Sequence, residues 1–257
     1  MTYTKRHDGR AFDETRPIVA KAGVIAKADG SGYFKIGKTE AYAAVYGPRE
    51  MHPKFLQDPR KGVLRCVYNM LPFSGQGERV RPGPGRRSRE ISMVTEKALQ
   101  PVVNLDDYPN AVVDVYIELP QTDAGSRCAG ICAASIALAD AGIQMRDMVV
   151  AISVGKVEES IVVDLDYEEE AHDEGTGAVD MPVAMVPSTG EITLLQMDGI
   201  ISREDILAAI EFARPVFSRI AQIQRTAVRE RYAASSAAAL AENGDSTPAS
   251  DDQEGAQ

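Results

Sequence analysis

Short runs in which apolar and polar residues alternate recur along the chain, and this pattern is typical of β-strands. We predict two or three strands over residues 18–47, one at 63–71, one at 111–119 and four between residues 148 and 196. Two segments have helical spacing instead, one beginning near Arg86 and one over the alanine-rich residues 127–141, which end at Gly142. Because the strands cluster rather than alternate strictly with helices, the predicted class is α+β.

A third helix, long and amphipathic, is predicted from Ser202, where Asp205 three residues later suits a helix start, to about Ala238. The residues after it are polar and acidic, so we predict a disordered tail over 239–257. Residues 1–238 are then expected to form a single domain, because a chain of this length buries a large core.

The composition excludes collagen-like, largely disordered and disulfide-stapled proteins, and no stretch approaches the ~20 apolar residues of a membrane span. Cys66, Cys128 and Cys132 are an odd number, and the N-terminus lacks an apolar signal core. We therefore expect a reduced, cytoplasmic protein. No second cluster of Cys or His accompanies Cys128 and Cys132, so small buried residues are a better interpretation than metal ligands.

The formal charge of -10 argues against a nucleic-acid partner, but its distribution reverses that conclusion. Thirteen acids lie in two segments without bases, residues 164–180 and 242–257, and without them 28 bases face 25 acids. Residues 49–89 hold ten bases against three acids. That segment can attract an anionic ligand, although a solvated charged loop has the same composition.

Residues 121–127 follow a predicted strand and open a predicted helix, where unpaired N–H groups and the helix dipole favour an anion. Gly125 permits close approach of a ligand, Ser126 adds a hydroxyl and Arg127 adds a cation. The segment therefore suits a phosphate ion. The alternative is an ordinary helix start in which Asp123 or Ser126 caps the first turn.

Two further candidates come from local context. Arg86 and Arg87 lie where a loop rich in glycine and proline becomes a helix, so they can bind successive phosphates of a polymer or form a mobile basic loop. Asp180 ends the acidic run where a strand is predicted to start, between apolar neighbours that raise its pKa and suit it to donate a proton or hold a metal. Most of the other seven acids in the run are interpreted as a solvated loop.

In their order along the chain, these segments resemble the RNase PH family of phosphate-dependent 3′ to 5′ exoribonucleases, and in particular its branch of catalytic ring subunits of the archaeal exosome. The resemblance extends from about residue 5 to residue 235 and rests on KRHDGR, KTEAYAAVYGPREMHP, PGRRSREI, LPQTDAGSRCAGICAASIALADAGI, DLDYEEE and VDMPVAM. It implies an RNase PH-like fold (ribosomal protein S5 domain 2-like), with mixed sheets packed against helices. It also implies degradation of RNA to nucleoside diphosphates, reversible as RNA tailing, with inorganic phosphate as co-substrate and Mg²⁺ as cofactor.

The resemblance also assigns roles to residues. Asp180 matches the carboxylate that assists departure of the 3′ oxygen or holds a divalent ion. The phosphate loop is matched by Gly125, Ser126 and Arg127, and the RNA-binding set by Arg86 and Arg87, to which we add Arg65. The family has a second acid about six residues before the first, but here the acidic run contains an insertion. The second acid therefore stays open among Glu170, Asp173 and Glu174.

The partners implied are single-stranded RNA 3′ ends, a related inactive RNase PH-like subunit in a hetero-hexameric ring, and RNA-binding cap subunits, without membrane or DNA. Two other functions compete with this one. The chain could be a non-catalytic scaffold subunit of such a ring, or a stand-alone RNase PH that trims tRNA 3′ ends.

Overall fold

The computed structural model describes residues 3–76, 80, 81, 83, 85–173 and 175–244. In these residues the chain forms strands and helices in the order β1 (Ile18–Ala22), β2 (Gly30–Ile36), β3 (Thr39–Glu50), β4 (Val63–Met70), α1 (Arg86–Leu99), β5 (Ala111–Gln121), α2 (Ser126–Asp140), β6 (Val150–Val157), β7 (Ser160–Val163), α3 (Tyr167–Glu170), β8 (Ala178–Val186), β9 (Glu191–Leu195) and α4 (Arg203–Gly244). Short 3₁₀ turns lie at Lys54–Leu56 and Leu105–Asp107.

The strands form two sheets, the first mixed and the second antiparallel, with helix α2 between them. The first sheet has the order β1-β2-β3-β5-β4, in which β4 and β5 are parallel, and the second has the order β7-β6-β8-β9. Helix α2 packs against strands of both sheets and is buried over most of its length. Its small residues allow this close packing: a side chain at Gly32 of β2 would come within 2.3 Å of the Ala133 carbonyl oxygen.

The α+β class is confirmed, and the predicted strands and helices are all present with shifted ends. Strand β5 continues through Pro120 to Gln121, because the pairing with β3 is irregular there and the missing N–H breaks no regular ladder bond. Strand β8 begins at Ala178, earlier than the predicted residue 182. As a result, Asp180 lies inside the strand rather than at its start, which corrects the prediction.

Helix α4 begins as predicted, with the Asp205 N–H donating to Ser202 Oγ at 3.1 Å. It extends to Gly244, beyond the predicted end near Ala238, and packs its apolar side on the core through residues such as Ile210, Phe217 and Ile220. The rest of the predicted tail, residues 245–257, lies outside the described residues. Within the described part of the chain, no helix combines the length and the apolar character needed to cross a bilayer.

The three cysteines are buried and form no disulfide in the described structure, as the sequence predicts. Cys132 Sγ lies 3.3 Å from both the backbone N and O of Ala151, on the second sheet. Burial raises the pKa of the Cys132 thiol to about 12, so it stays protonated at neutral pH. These thiols are therefore small packing residues of the core.

Candidate active site

A cleft of about 340 Å³ opens beside the N-terminus of α2 and the first residues of β8. It is lined by Arg87, Asp123, Ala124, Gly125, Ser126, Arg127, Glu170, Ala178, Asp180, Asp198 and Gly199. Residues that the sequence singles out in three separate segments thus share one cleft. The fold achieves this because α2 lies between the two sheets and its N-terminus faces strand β8 of the second sheet.

The segment before α2 has the geometry of an anion site. Gly125 directly precedes α2 as its N-cap residue and has φ +65°, a left-handed conformation that favours glycine. Among the described residues, no side chain accepts a hydrogen bond from the first turn of α2, so the alternative in which Asp123 or Ser126 caps the helix is wrong. The free N–H groups of that turn are the donors that an anion would use.

Thr39 fixes this segment from the neighbouring strand. Its hydroxyl donates to the Ala124 carbonyl oxygen at 2.8 Å and accepts from the Asp123 N–H at 3.0 Å. Thr39 is itself fully buried at the start of β3. The first sheet therefore holds the loop in place before any ligand binds, which lowers the entropy cost of binding.

Arg127 is held by a residue that the sequence analysis missed. Its Nη1 donates to Gln196 Oε1 at 2.5 Å, and Gln196 Nε2 donates in turn to Glu90 Oε1 at 3.3 Å. Gln196 directly follows β9 and Glu90 belongs to α1. A glutamine at a strand end carries no motif, so only the fold reveals that it orients the guanidinium.

Asp180 is half-buried in β8 and accepts a hydrogen bond from Ser153 Oγ on the adjacent strand β6. Burial raises the pKa of Asp180 above its ordinary value, while the Ser153 hydroxyl and Arg127 partly oppose the rise. A nearby carboxylate, Asp198, raises it further. Asp198 also escaped the sequence analysis, and its backbone pairs with that of Asp180 through hydrogen bonds of 3.1 and 2.9 Å.

Of the three candidates for a second acid, Glu170 lies in the cleft. It ends helix α3, and burial together with the charge of Asp180 raises its pKa to about 7. Asp173 is exposed and does not line the cleft. Glu174 lies outside the described residues.

The interpretation of the other acids in this run as a solvated loop is wrong for Asp164, Asp166 and Glu169, which are buried. Asp166 caps α3 by accepting from the N–H groups of the second and third helical residues at 3.1 and 3.0 Å. Glu169 accepts two bonds from Arg6, at 2.8 and 2.6 Å. An aspartate followed three residues later by a glutamate is a helix-start signal, so this short helix was detectable from the sequence.

The basic candidates divide into two groups. Arg87 lines the cleft from the first turn of α1, and the helix begins at Arg86 as predicted. Arg86 is exposed and lies beside the cleft rather than in it. Arg65, on β4, donates to both oxygens of Asp114 at 2.6 and 2.9 Å and does not reach the cleft.

A divalent ion would find oxygen donors in the cleft but not a complete cage. Throughout the described ranges, no group of three or more Asp, Glu, His or Cys side chains is arranged to enclose a metal ion. Asp180 and Glu170 supply two carboxylates. Mg²⁺ commonly binds one or two carboxylates and completes its shell with water and substrate phosphates, so these residues fit Mg²⁺ bound together with a substrate.

Comparisons with known proteins identify the family of the chain. Residues 14–144 match the model of the 3′ exoribonuclease family, domain 1, and residues 147–215 match that of domain 2. The chain is 51% identical over 228 residues to the exosome complex component Rrp41 of Pyrococcus furiosus, covering 89% of each chain. It is 48% identical over 227 residues to the Rrp41 of Methanopyrus kandleri, covering 88% of this chain and 93% of the relative.

Among solved structures, rice Rrp46 superposes with a TM-score of 0.75 at 27% sequence identity, covering 87% of this chain and 100% of that chain. This likeness confirms the predicted fold. The cleft draws residues from both matched segments: Asp123 and residues 124–127 belong to the first, and Glu170, Asp180 and Asp198 belong to the second.

Proposed function

The chain belongs to the RNase PH family of 3′ exoribonucleases, and on that premise we propose that it shortens RNA from the 3′ end as the catalytic subunit of an exosome, with inorganic phosphate as the attacking co-substrate. One observation carries the proposal. A half-buried acid, Asp180, shares a cleft with a helix N-terminus flanked by Arg127 and with a second cation, Arg87. Transfer of a nucleotide from RNA to phosphate needs this combination.

The reaction follows from these positions. Phosphate is bound by the first-turn N–H groups of α2 and by Ser126 and Arg127, while Arg86 and Arg87 bind the RNA backbone near its end. A phosphate oxygen attacks the terminal phosphodiester, and the bond from phosphorus to the 3′ oxygen of the preceding nucleotide breaks. Asp180 gives its proton to that oxygen, and the products are a nucleoside diphosphate and an RNA one nucleotide shorter.

Positioning and charge supply most of the acceleration, because the two reactants are both anions that repel each other. Burial raises the pKa of Asp180, which favours its protonated form and suits it to the role of a general acid. Glu170 is the proposed second acid, and it lies close enough to Asp180 for the charge of Asp180 to raise its pKa. Mg²⁺, when bound, would be held by these two carboxylates with the substrate and would offset negative charge on the reacting phosphates.

The relatives named above are exosome complex components, and we extend this to the assembly of the present chain. It is proposed to alternate with a related inactive RNase PH-like subunit in a hetero-hexameric ring with RNA-binding caps. RNA would enter as a single strand. The unpaired, buried cysteines fit a reducing cytoplasm. Because both matched segments line one cleft, residues 1–238 are proposed to act as one catalytic domain.

The competing function of a non-catalytic ring scaffold fits less well. A scaffold subunit needs RNA contacts and ring contacts, but it has no use for a desolvated acid beside an uncapped helix N-terminus. Gly125, Ser126, Arg127 and Asp180 all lie in the cleft. The stand-alone tRNA-trimming alternative has the same chemistry and differs in assembly and substrate.

The test is decay of a single-stranded RNA by the chain assembled with its ring partner, with and without phosphate. Wild type should release nucleoside diphosphates only when phosphate is present, and Asp180→Asn should lose at least about a hundredfold in rate, as expected for loss of a general acid. Asp173→Asn, an exposed acid from the same run, is the matched control and should retain full activity. Release of nucleoside monophosphates without phosphate, or an undiminished rate in Asp180→Asn, would contradict the proposal.

A further inference from the structure

Arg16, in the segment just before β1, joins the two halves of the cleft. One side of its guanidinium contacts the loop that precedes α2, and the other side contacts the segment that leads into α3. Its side chain is 7% exposed. A buried arginine between two parts of an anion site either stabilises the fold only or also positions the residues that bind the anion.

The contacts of Arg16 use all three guanidinium nitrogens. On the acid side, Nε donates to Asp164 Oδ2 at 3.0 Å and Nη2 donates to Asp164 Oδ1 at 2.7 Å. On the loop side, Nη1 donates to Asp123 Oδ2 at 3.2 Å and Nη2 donates to the Ala124 carbonyl oxygen at 3.4 Å. The backbone N–H of Arg16 also donates to Asp164 Oδ2, at 2.7 Å.

The contact of Arg16 with Asp164 is connected through further hydrogen bonds to Asp180, the proposed proton donor. Asp164 has φ +57°, a left-handed conformation that is uncommon for non-glycine residues, although aspartate adopts it more readily than most. Its N–H donates to the Ser153 carbonyl oxygen at 2.8 Å, and the Ser153 hydroxyl donates to Asp180. Arg16 thus connects the loop before Gly125 to the strand residue that holds Asp180.

Charge gives a second reason for Arg16 to be there. Asp123 lines the cleft and would repel phosphate if its charge were unopposed. Arg16 offsets Asp123 and Asp164 together. Removing the cation would leave two buried carboxylates without their partner beside a site that must accept an anion.

We propose that Arg16 is a positioning residue for the phosphate co-substrate: it holds the loop before α2 in register with the acid-bearing segment and offsets the two carboxylates beside it. Its donors are engaged by protein groups, so it acts through the loop rather than by touching phosphate. The inference rests on the proposed function and deepens it. Lysine cannot replace arginine here, because a single ammonium cannot bond Asp123 and both oxygens of Asp164 at once.

The experiment compares steady-state kinetics of the assembled ring carrying wild type, Arg16→Lys or Arg10→Lys. Arg10 is the matched control, since it contacts Asp164 at 3.4 Å but makes no recorded contact with Asp123 in the described structure. Arg16→Lys should raise the KM for phosphate by about tenfold or more, the scale expected for a displaced binding group, with the KM for RNA unchanged. Arg10→Lys should change the KM for phosphate by less than about twofold.

A second variant, Asp123→Ala, keeps the inference testable if Arg16→Lys fails to fold or assemble. It removes the side-chain acceptor that Arg16 uses on the loop and leaves the Arg16–Asp164 pair intact. If Arg16 positions the loop before α2, the KM for phosphate should be higher in this variant, even though a negative charge has been removed. A lower KM would indicate a purely electrostatic role and would overturn the positioning role.

Two other results would also overturn the inference: an unchanged KM for phosphate in Arg16→Lys, or equal rises in the KM for phosphate and for RNA. Failure of the proposed function is separable from both. If wild-type rings degrade RNA without phosphate, the proposed function fails before any variant is compared. If wild type requires phosphate and Arg16→Lys keeps its KM, the inference about Arg16 alone fails.

Discussion

Replacing Glu170 with glutamine should stabilise the protein while impairing its proposed reaction. Glu170 lies in the cleft with its carboxyl group half-buried, and its pKa rises to about 7 because burial and the charge of Asp180 both disfavour ionisation. A fold that holds an acid in such a place loses free energy whenever the acid ionises. Glutamine has nearly the same shape and stays neutral at every pH.

The magnitude follows from the pKa values. In the folded chain the pKa of Glu170 is about 7, against the ordinary 4.5. Folded protein therefore binds the proton more tightly than unfolded chain, and the free energy of unfolding falls as pH rises between these values. Glu170→Gln removes that loss, so its advantage should grow from about 1 kcal/mol at pH 5 to about 3 kcal/mol at pH 8, at 1.36 kcal/mol per pKa unit.

Urea unfolding at pH 5 and pH 8 measures this difference directly, with phosphate-dependent RNA decay measured on the same samples assembled into rings. Asp173→Asn serves as the control, because Asp173 belongs to the same acidic run but is exposed. Its unfolding free energy should stay within about 0.5 kcal/mol of wild type at both pH values. Opposite effects on stability and activity are a mark of functional residues.

Two results would refute this reasoning. If Glu170→Gln is no more stable than wild type at pH 8, the carboxyl is not held in a desolvating site. If the variant gains the same stability at pH 5 and pH 8, the gain comes from packing rather than from ionisation. Retention of full activity would leave the stability argument intact but remove Glu170 from the proposed reaction.

Further predictions concern other residues. Arg6→Met should lower the free energy of unfolding by about 3–5 kcal/mol in urea titrations, because buried Glu169 loses its two-bond partner and is left with the longer contact with Arg10 at 3.8 Å; a loss under 1 kcal/mol would contradict this. Gln196→Leu should raise the KM for phosphate several-fold, because Arg127 loses the side chain that orients its guanidinium. Arg87→Gln should reduce the slope of log affinity for single-stranded RNA against log salt by about 0.7, as for one lost phosphate contact. Deleting residues 242–257 should leave RNA decay intact, since the cleft residues end well before them.

The elements of the fold were predictable because apolar spacing is a local property. The same holds for Gly125 and Arg127, which belong to a segment that follows a strand and opens a helix. Strand β8 was predicted four residues too short because Pro182 was taken as its start, although a proline can occupy a strand where its missing N–H breaks no ladder bond. The local sequence pattern therefore predicted the segment before α2 and singled out Asp180, but it did not predict that Asp180 lies inside strand β8.

The residues that orient the site could not be found this way. Arg6 is 163 residues from Glu169 and Arg16 is 148 residues from Asp164. Gln196 is 69 residues from Arg127. Such pairs meet only after both sheets have formed, and a motif that contains one partner does not show which distant residue it contacts. The supporting contacts of a site are thus the part that a single sequence conceals.

Our proposal of Glu170 as the second acid depends on where the acidic run is anchored in the fold. Counting back from Asp180 leads to Glu174, whereas counting forward from Asp164 leads to Glu170. We propose Glu170 on the forward count, because helix α3 is anchored at its start by its own cap and near its end by the buried pair of Glu169 with Arg6. An insertion between α3 and β8 then lengthens a connection and displaces neither Glu170 nor Asp180 from the cleft. Counting back from Asp180 crosses this insertion and is therefore misleading, whereas counting from the anchored start of α3 does not cross it.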